Sequence, residues 1–487
     1  MASRLSAADL SLLALETPQT PMHNATLEIL EPGESGFDYD RLRALVEDRL
    51  AFVPRYRKRL RTVPGGLGTP VWVEDETFDL SYHVRRSALP SPGDDDQLRD
   101  LVGRIMSRRL DASRPLWEVY VIEGLQRGRV AMFTKSHQLL VDGSDTVDLA
   151  QVLLDSTPDR REMVAEDWVP RSEPRAPGLL IGAVRDNLAR PEQAVEAVRA
   201  SADAVGRRAA RRLGPVARLA RAVAPGGDTS TESILSVRPS EQRRLATLAT
   251  DLEDYRRIRE VHGGTVNDVI LATVTGGIRA WLMTRGESLA AHAHLHAMVP
   301  MSVQDDDLAP TSLGAQVAGH ELKLPIGESS AVVRLHQVSY ALTAHKETGK
   351  SVAANRLAGI AGFAPTTFHA LGTRVALDHR RREIDLVITN VPGPQFPLYA
   401  AGSQMLSTYP VPPLQPRSAL AIGVTSYDGH VFYGLTADRD AIPDVDVLAA
   451  CIAEALEELV DSASDLGARA PRGLSRRRPR RTDDEPS

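Results

Sequence analysis

The sequence of 487 residues has a single cysteine, Cys451, which excludes an internal disulfide and a cysteine-based metal site. It also lacks long apolar runs, since none approaches the roughly 18 uninterrupted apolar residues that a membrane-spanning helix needs. Asp9 interrupts the apolar N-terminal segment, which excludes a signal peptide. We therefore expect a cytoplasmic protein without a membrane span.

Lysine is scarce: only five of the 58 basic residues are lysine, an arginine bias typical of a high-GC genome. The 64 acidic residues outnumber the basic ones and give a formal net charge of −6. This balance excludes a protein whose whole surface is basic, so we expect no nucleic-acid partner.

The composition is that of a globular protein, with 42% hydrophobic and 25% charged residues. Residues 1–170 alternate helical and extended patterns, and residues 231–465 repeat this alternation, so we predict two α/β domains. Residues 171–230 form a basic helical connector between them. Residues 466–487 are an arginine-rich tail that we expect to be disordered.

Apolar periodicity and turn residues place the individual elements. Predicted helices cover residues 39–60, 141–157, 266–283 and 445–460. Predicted strands cover residues 115–124, 128–135, 296–303, 384–391, 420–427 and 431–436, the last two joined by a hairpin turn at Asp428-Gly429.

The connector carries a concentrated positive charge. Between residues 181 and 223, nine arginines stand against four acidic residues, a local excess of five positive charges. A basic amphipathic helix of this kind can lie on an anionic membrane surface. A solvated helical linker between two domains has the same pattern, and both interpretations remain open.

Several familiar signatures are missing or incomplete. No G-x-S-x-G is present, so a nucleophile-elbow hydrolase is not indicated. The Gly349-Lys350-Ser351 end of a phosphate-binding loop lacks its first glycine. His292, His294 and His296 share one face if they lie in a strand, and we interpret them as a polar strand face with no metal. Cys451 lies in an apolar helical pattern and is predicted to be a core residue.

The segment most typical of catalysis is residues 135–145, KSHQLLVDGSD, between a predicted strand and a predicted helix. Here His137, Gln138 and Asp142 can reach a cleft. An imidazole with a pKa near ~6.5 suits a base that takes a proton from a hydroxyl at neutral pH. Asp142-Gly143 suits a tight turn that holds the loop.

HQLLVDG resembles the HHxxxDG motif of the CoA-dependent acyltransferase superfamily. Within it, the chain resembles the bacterial wax ester synthase/acyl-CoA:diacylglycerol acyltransferase family. The resemblance rests on motifs in the family's order: residues 15–29 (LETPQTPMHNATLEI), Pro115-Leu116-Trp117 (PLW), Asn267-Asp268 (ND), residues 299–303 (VPMSV) and residues 390–394 (NVPGP).

This resemblance implies two chloramphenicol-acetyltransferase-like α/β domains with mixed sheets and a channel along their interface. It implies acyl transfer from acyl-CoA to diacylglycerol or a long-chain alcohol, with no metal or further cofactor. It places catalysis at His137, Gln138, Asp142 and Gly143, with Asp142 holding the loop. It places substrate binding at Pro115, Trp117, Asn267, Asp268 and Asn390.

These binding residues also have structural interpretations. Trp117 is typical of packing at a strand start, Asn267-Asp268 of a helix cap, and Asn390 of a rigid turn. Both interpretations of each residue stay open on the sequence alone.

One position departs from the family's pattern: Gln138 stands where the family has its general-base histidine. Glutamine cannot take a proton from the alcohol, although it can hydrogen-bond a carbonyl or hydroxyl. Either His137 or substrate positioning sustains acyl transfer, or the protein binds acyl-CoA or lipid with attenuated turnover. If residue 137 is extended, its side chain points away from that of Gln138, whereas if the backbone has already turned into the loop, His137 can reach the cleft. A peripheral location at the inner membrane face or on lipid droplets is a further hypothesis.

Overall fold

The computed structural model describes residues 3–34, 36–63, 69–140, 149–159, 234–302, 317–345 and 384–469. Within these ranges the strands are β1 Ser3–Arg4, β2 His23–Glu31, β3 Lys58–Arg61, β4 Val71–Glu74, β5 Val84–Ala88, β6 Trp117–Glu123, β7 Val130–His137, β8 Arg243–Asp251, β9 Leu295–Ser302, β10 Val317–Leu324, β11 Leu386–Pro392, β12 Tyr399–Ala400, β13 Ser403–Val411, β14 Leu420–Tyr427 and β15 His430–Asp438. The helices are α1 Ala7–Leu15, α2 Tyr39–Arg49, α3 Leu80–His83, α4 Asp95–Ser107, α5 Leu149–Val152, α6 Leu252–His262, α7 Val266–Thr284, α8 Ala331–His345 and α9 Val445–Arg469.

Two six-stranded mixed sheets organise the chain. The N-terminal sheet has the order β12-β13-β2-β7-β6-β5, and all its pairs are antiparallel except β5 with β6. The C-terminal sheet has the order β10-β9-β11-β14-β15-β8, with β11 parallel to both β9 and β14. The predicted fold of two α/β halves with mixed sheets is confirmed.

A segment late in the chain completes the first sheet. The β13 strand pairs with β2 from Val411 opposite Ala25 to Gln404 opposite Glu31. On its way to β2, β13 passes close to β15 at Gly434. A glycine is needed there because a Cβ would lie 1.8 Å from the carbonyl oxygen of Pro410. The two halves are therefore interlocked through β12 and β13, although the sequence places both strands inside the range 231–465. The predicted domain boundaries stay a prediction.

The helices begin where side chains satisfy the free N–H groups of the first turn. In α1, Ser6 and Asp9 form a reciprocal capping box, and Asp94 and Gln97 do the same at α4. Packing then fixes the helices: α7 and α9 pack together over the C-terminal sheet in one apolar cluster. Cys451 lies in this cluster with 5% of its surface exposed, as predicted for a core residue.

Most predicted helices and strands are present, but several of them end at other residues than predicted. The predicted helix 39–60 ends at Arg49, because two short 3-10 turns intervene before β3, the second of them beginning at Pro54. The closing helix continues to Arg469, so the predicted tail from residue 466 begins inside a helix. The connector and residues 470–487 lie outside the described residues, as do residues 141–148 of the predicted helix 141–157. In the described remainder of that prediction the helix covers only Leu149–Val152, so its predicted end at 157 is wrong. Within the described ranges, no helix combines the length and apolarity needed to cross a bilayer.

Candidate active site

The HQLLVDG segment leaves the centre of the N-terminal sheet. Strand β7 ends at His137, and Gln138–Leu140 form a 3-10 turn. The His137 N–H donates to the Leu116 carbonyl and the Gln138 N–H to the Met22 carbonyl, each at 2.9 Å. The backbone is therefore extended through His137 and still paired at Gln138. Asp142 and Gly143 lie outside the described residues, and their roles stay predictions.

The His137 imidazole is held by a hydrogen bond at Nδ1, whereas its Nε2 has no hydrogen-bond partner. Its Nδ1 accepts a 3.1 Å hydrogen bond from the Leu139 N–H, so in neutral His137 the proton resides on Nε2. That Nε2 lies 3.5 Å from Oε2 of Glu16, and His137 is only 2% exposed. In this arrangement neither ring nitrogen has a free lone pair for a substrate proton.

Glu16 is the centre of a small charged cluster. Besides His137, it contacts Arg109 at 3.5 Å and His23 at 3.9 Å. Burial acts to raise the pKa of Glu16, but hydrogen bonding and attraction from His137 and Arg109 outweigh it, and the pKa is lowered. Burial, followed by the nearby positive charge of Lys135, holds the pKa of His23 well below its ordinary value of 6.5. The cluster therefore pairs an anionic Glu16 with a neutral His23.

Gln138 has a different environment. Its side chain is 1% exposed, and neither Nε2 nor Oε1 has a hydrogen-bond partner. His137 is the last residue of β7, whereas Gln138 is the first residue of the 3-10 turn that follows. The backbone at residue 137 is therefore the extended one of the two alternatives that the sequence left open.

Lys135, in the same segment, has a structural role. Its Nζ donates to the carbonyl of Ile105, in the last turn of α4, at 2.9 Å. It also donates to the carbonyl of Arg108, the residue that follows this helix. Burial lowers the pKa of Lys135 to about 8. An ammonium at free helix carbonyls is a favourable C-terminal cap.

Trp117 lies in the core of the N-terminal half. It is fully buried, its Nε1 donates to the Tyr56 carbonyl at 2.7 Å, and its ring stacks on His83 with centroids 4.5 Å apart. Pro115, also buried, accepts from the Trp117 N–H at 2.9 Å. This geometry indicates packing and offers no support for the substrate-binding role predicted for Pro115 and Trp117.

The other predicted binding residues meet at the start of α7. Asn390 in β11 donates through Nδ2 to Oδ1 of Asn267 at 2.8 Å. Asp268 completes a capping box with Thr265 and accepts from Ser339 Oγ at 2.9 Å. The structure thus joins the ND and NVPGP motifs and gives Asp268 the capping role. Within the described ranges, no hydrogen bond or ion pair joins these residues to His137 or Gln138.

The three alternating histidines do not share one strand. Only His296 lies in β9, where its Nδ1 is 2.7 Å from Glu321. Across the part of the chain described, no group of three or more histidine, cysteine or acidic residues could hold a metal ion.

Three residues of the site, Glu16, His23 and Arg109, were not predicted from the sequence. The first two lie in the segment LETPQTPMHNATLEI, and a histidine beside an asparagine at the start of a strand was the available signal. Arg109 follows α4 and gave no local signal, since its partner lies far away in sequence.

Comparison with known proteins identifies the family. The profile of the wax ester synthase/diacylglycerol acyltransferase catalytic domain matches residues 5–270. The chain belongs to this family. The profile of its C-terminal domain matches residues 313–460, so the family assignment covers both halves of the chain.

Family members from Mycobacterium tuberculosis are clear relatives. The probable diacylglycerol O-acyltransferase tgs1 is 32% identical over 423 residues, covering 87% of this chain and 88% of the relative. The probable diacylglycerol O-acyltransferase tgs3 is 41% identical over 262 residues, covering 53% and 96%.

Solved structures agree with the family assignment. The wax ester synthase/diacylglycerol acyltransferase from Marinobacter aquaeolei VT8 superposes with a TM-score of 0.64 at 27% identity, covering 95% of this chain and 100% of that one. The first condensation domain of the calcium-dependent antibiotic synthetase superposes with a TM-score of 0.53 at 15% identity, covering 96% and 97%. This second likeness supports the fold alone, the chloramphenicol-acetyltransferase-like one.

Proposed function

We propose that the protein transfers a long-chain acyl group from acyl-CoA to the hydroxyl of diacylglycerol, forming triacylglycerol, or of a fatty alcohol, forming a wax ester. The observation that carries this proposal is the match of the family's catalytic domain across residues 5–270, which includes the HQLLVDG segment. The mycobacterial relatives that align along most of this chain are diacylglycerol O-acyltransferases by name. Binding without turnover is the less favoured alternative for the same reason.

The reaction needs no covalent enzyme intermediate. The acceptor oxygen bonds to the thioester carbonyl carbon, the carbon–sulfur bond breaks, and the hydroxyl proton ends on the sulfur of CoA. Because His137 has no lone pair free and Gln138 cannot be protonated at neutral pH, we infer direct proton transfer toward the departing sulfur. Orientation of the reactants and polarisation of the carbonyl supply the rate enhancement.

In this mechanism His137 is a positioning residue. It ties the Leu139 N–H, and so the turn that carries Gln138, to the Glu16 cluster. Gln138 contributes one amide donor and one acceptor to the reacting groups.

The test compares the wild type with His137→Ala and Gln138→His, using labelled palmitoyl-CoA with diolein or hexadecanol. We expect labelled triacylglycerol or wax ester from the wild type and a loss of roughly tenfold in His137→Ala, because the turn loses its anchor. Gln138→His should raise kcat by about tenfold or more, since a general base typically contributes about 10²–10⁴-fold.

Gln126→His, at an exposed turn, is the matched control for the glutamine-to-histidine exchange and should leave kcat unchanged. Absence of product from the wild type with both acceptors, together with product from Gln138→His, would contradict turnover by the natural chain.

Contact with a lipid surface is a further part of the proposal. Its support is the excess of positive charge between residues 181 and 223, nine arginines against four acidic residues. Arginines near an anionic surface each favour binding. We expect flotation with liposomes containing phosphatidylglycerol, reduced when Arg207, Arg208, Arg211 and Arg212 are changed to glutamine. Equal flotation of this variant and the wild type would refute the role of the segment.

A further inference from the structure

The N-terminal sheet and the turn after β7 carry buried polar atoms that have no hydrogen-bond partner. Asn24, Thr134 and Gln138 are each 2% exposed or less. Both amide atoms of Asn24, both of Gln138 and the Thr134 hydroxyl have no hydrogen-bond partner. Leaving a buried amide unpaired costs free energy, so native proteins rarely concentrate such groups without a use for them.

Register places Asn24 and Thr134 on one face. Asn24 lies directly opposite Ser136 in the β2–β7 pair, and opposed residues share a face. Thr134 is two residues before Ser136 in β7, so alternation puts it on that face as well. His137 lies on the other face, opposite His23. Gln138 begins the 3-10 turn after β7, and its N–H donates to the carbonyl of Met22, two residues before Asn24 in the chain.

The backbone donors nearby are already engaged. The N–H groups of His137, Gln138 and Leu139 donate to Leu116, Met22 and the His137 ring, respectively. An acyl transfer nevertheless needs N–H donors where the carbonyl oxygen gains negative charge. In the described part of this site, the buried donors without a hydrogen-bond partner include the side-chain amides of Asn24 and Gln138.

We propose that Asn24 contacts the substrate: its Nδ2 donates to the thioester carbonyl oxygen of acyl-CoA, beside Gln138. As the acceptor oxygen bonds to the carbonyl carbon, negative charge on the carbonyl oxygen grows and this hydrogen bond strengthens. The carbon–sulfur bond then breaks and the hydroxyl proton passes to the CoA sulfur, which restores the carbonyl. This inference rests on the proposed acyltransferase function and adds a residue to it.

The decisive variant is Asn24→Leu, which keeps the approximate shape and removes the amide. Because the amide has no protein partner, the exchange should leave the melting temperature unchanged or raise it. We expect kcat to fall by about 10²–10³-fold, the usual effect of losing one such donor. Thr273→Val is the control, since the Thr273 hydroxyl is also buried and unpartnered but lies inside α7. It should leave kcat unchanged.

Binding of two unreactive ligands separates a substrate contact from a structural role. One is a palmitoyl-CoA analogue with a methylene between carbonyl and sulfur, and the other is S-hexadecyl-CoA, which has no carbonyl. We expect Asn24→Leu to weaken binding of the ketone analogue by about tenfold, roughly the value of one net hydrogen bond, and to leave S-hexadecyl-CoA unaffected.

Unchanged binding of both ligands, equal loss of both, or kcat within threefold of the wild type would overturn the role of Asn24. A wild type that binds neither ligand and forms no product would instead refute the acyltransferase function itself. A wild type that binds the ketone analogue through Asn24 without turnover would support the contact and contradict only the catalytic proposal.

Discussion

Asn390 donates a 2.8 Å hydrogen bond to Asn267, which joins the end region of β11 to the first turn of α7. The two residues are 123 positions apart in the chain. Both side chains are half-buried, and each belongs to a motif that the sequence singled out separately. Their contact makes one structural unit of the two motifs.

If this unit positions substrate, Asn267→Ala and Asn390→Ala should each lower kcat/KM by about tenfold, because either change removes the same hydrogen bond. The double variant should then be little worse than either single one. Steady-state kinetics of the four proteins measures the coupling. Additive effects, about a hundredfold in the double variant, would show that the two residues act independently.

Trp117 should behave as a core residue. Trp117→Ala should lower the free energy of unfolding by about 3–5 kcal/mol, the usual cost of removing a large buried aromatic side chain. Trp117→Phe keeps most of the volume but leaves the Tyr56 carbonyl without its donor, which costs about 1–3 kcal/mol. Denaturant unfolding and KM for acyl-CoA are measured together. A raised KM in Trp117→Phe at unchanged stability would instead support the substrate-binding role.

Because His83 is buried in its neutral form, the free energy of unfolding should decrease in mild acid. Burial lowers its pKa from 6.5 to about 4, although its hydrogen bond to the Trp117 carbonyl opposes the shift. The unfolded chain therefore binds a proton that the folded protein does not. The stability due to neutral His83 is complete above pH 6.5 and is lost as the pH falls toward 4, by about 1.4 kcal/mol per pH unit.

The measurement is the melting temperature between pH 7 and pH 5. His83→Phe keeps a ring against Trp117, and its melting temperature should fall less over this range than that of the wild type. His430→Phe, at an exposed position, is the control and should follow the wild type. Parallel curves for all three proteins would rule out titration of His83 as a cause.

The Glu16 carboxylate should stabilise the folded protein at neutral pH and lose this effect at low pH. Its pKa is lowered from 4.5 because His137 and Arg109 outweigh the effect of burial, so the carboxylate stabilises the folded protein above pH 4.5. That contribution is lost as the pH falls through the lowered pKa. Glu16→Gln should therefore be less stable at pH 7 by about 1–2 kcal/mol and should lose less stability on acidification.

Thermal unfolding of Glu16→Gln beside Glu47→Gln, an exposed control, tests this expectation. The same variant should lower kcat several-fold, because His137 loses the group that faces its Nε2. Wild-type kcat in Glu16→Gln would show that the ion cluster does not position the turn.

Local patterns predicted local structure well. The strand 420–427 and its hairpin at Asp428-Gly429 were correct, since both turn residues take the positive φ that such a turn requires. The pairing of β13 with β2 could not be predicted, because nothing within either strand identifies a partner several hundred residues away. The same applies to the site: His137 was evident from its motif, whereas Glu16 acquires meaning only through its contact with His137 and Asn24 only through the register of β2 against β7.

The pairing of β13 with β2 also determines when the N-terminal sheet can be completed during synthesis of the chain. Domains generally fold as they leave the ribosome, the N-terminal one first. Here the nascent N-terminal sheet exposes the hydrogen-bonding edge of β2 until residue 411 has been made. The catalytic half therefore matures only after most of the second half has emerged, and a nascent chain stalled before that point presents an open strand edge to its neighbours.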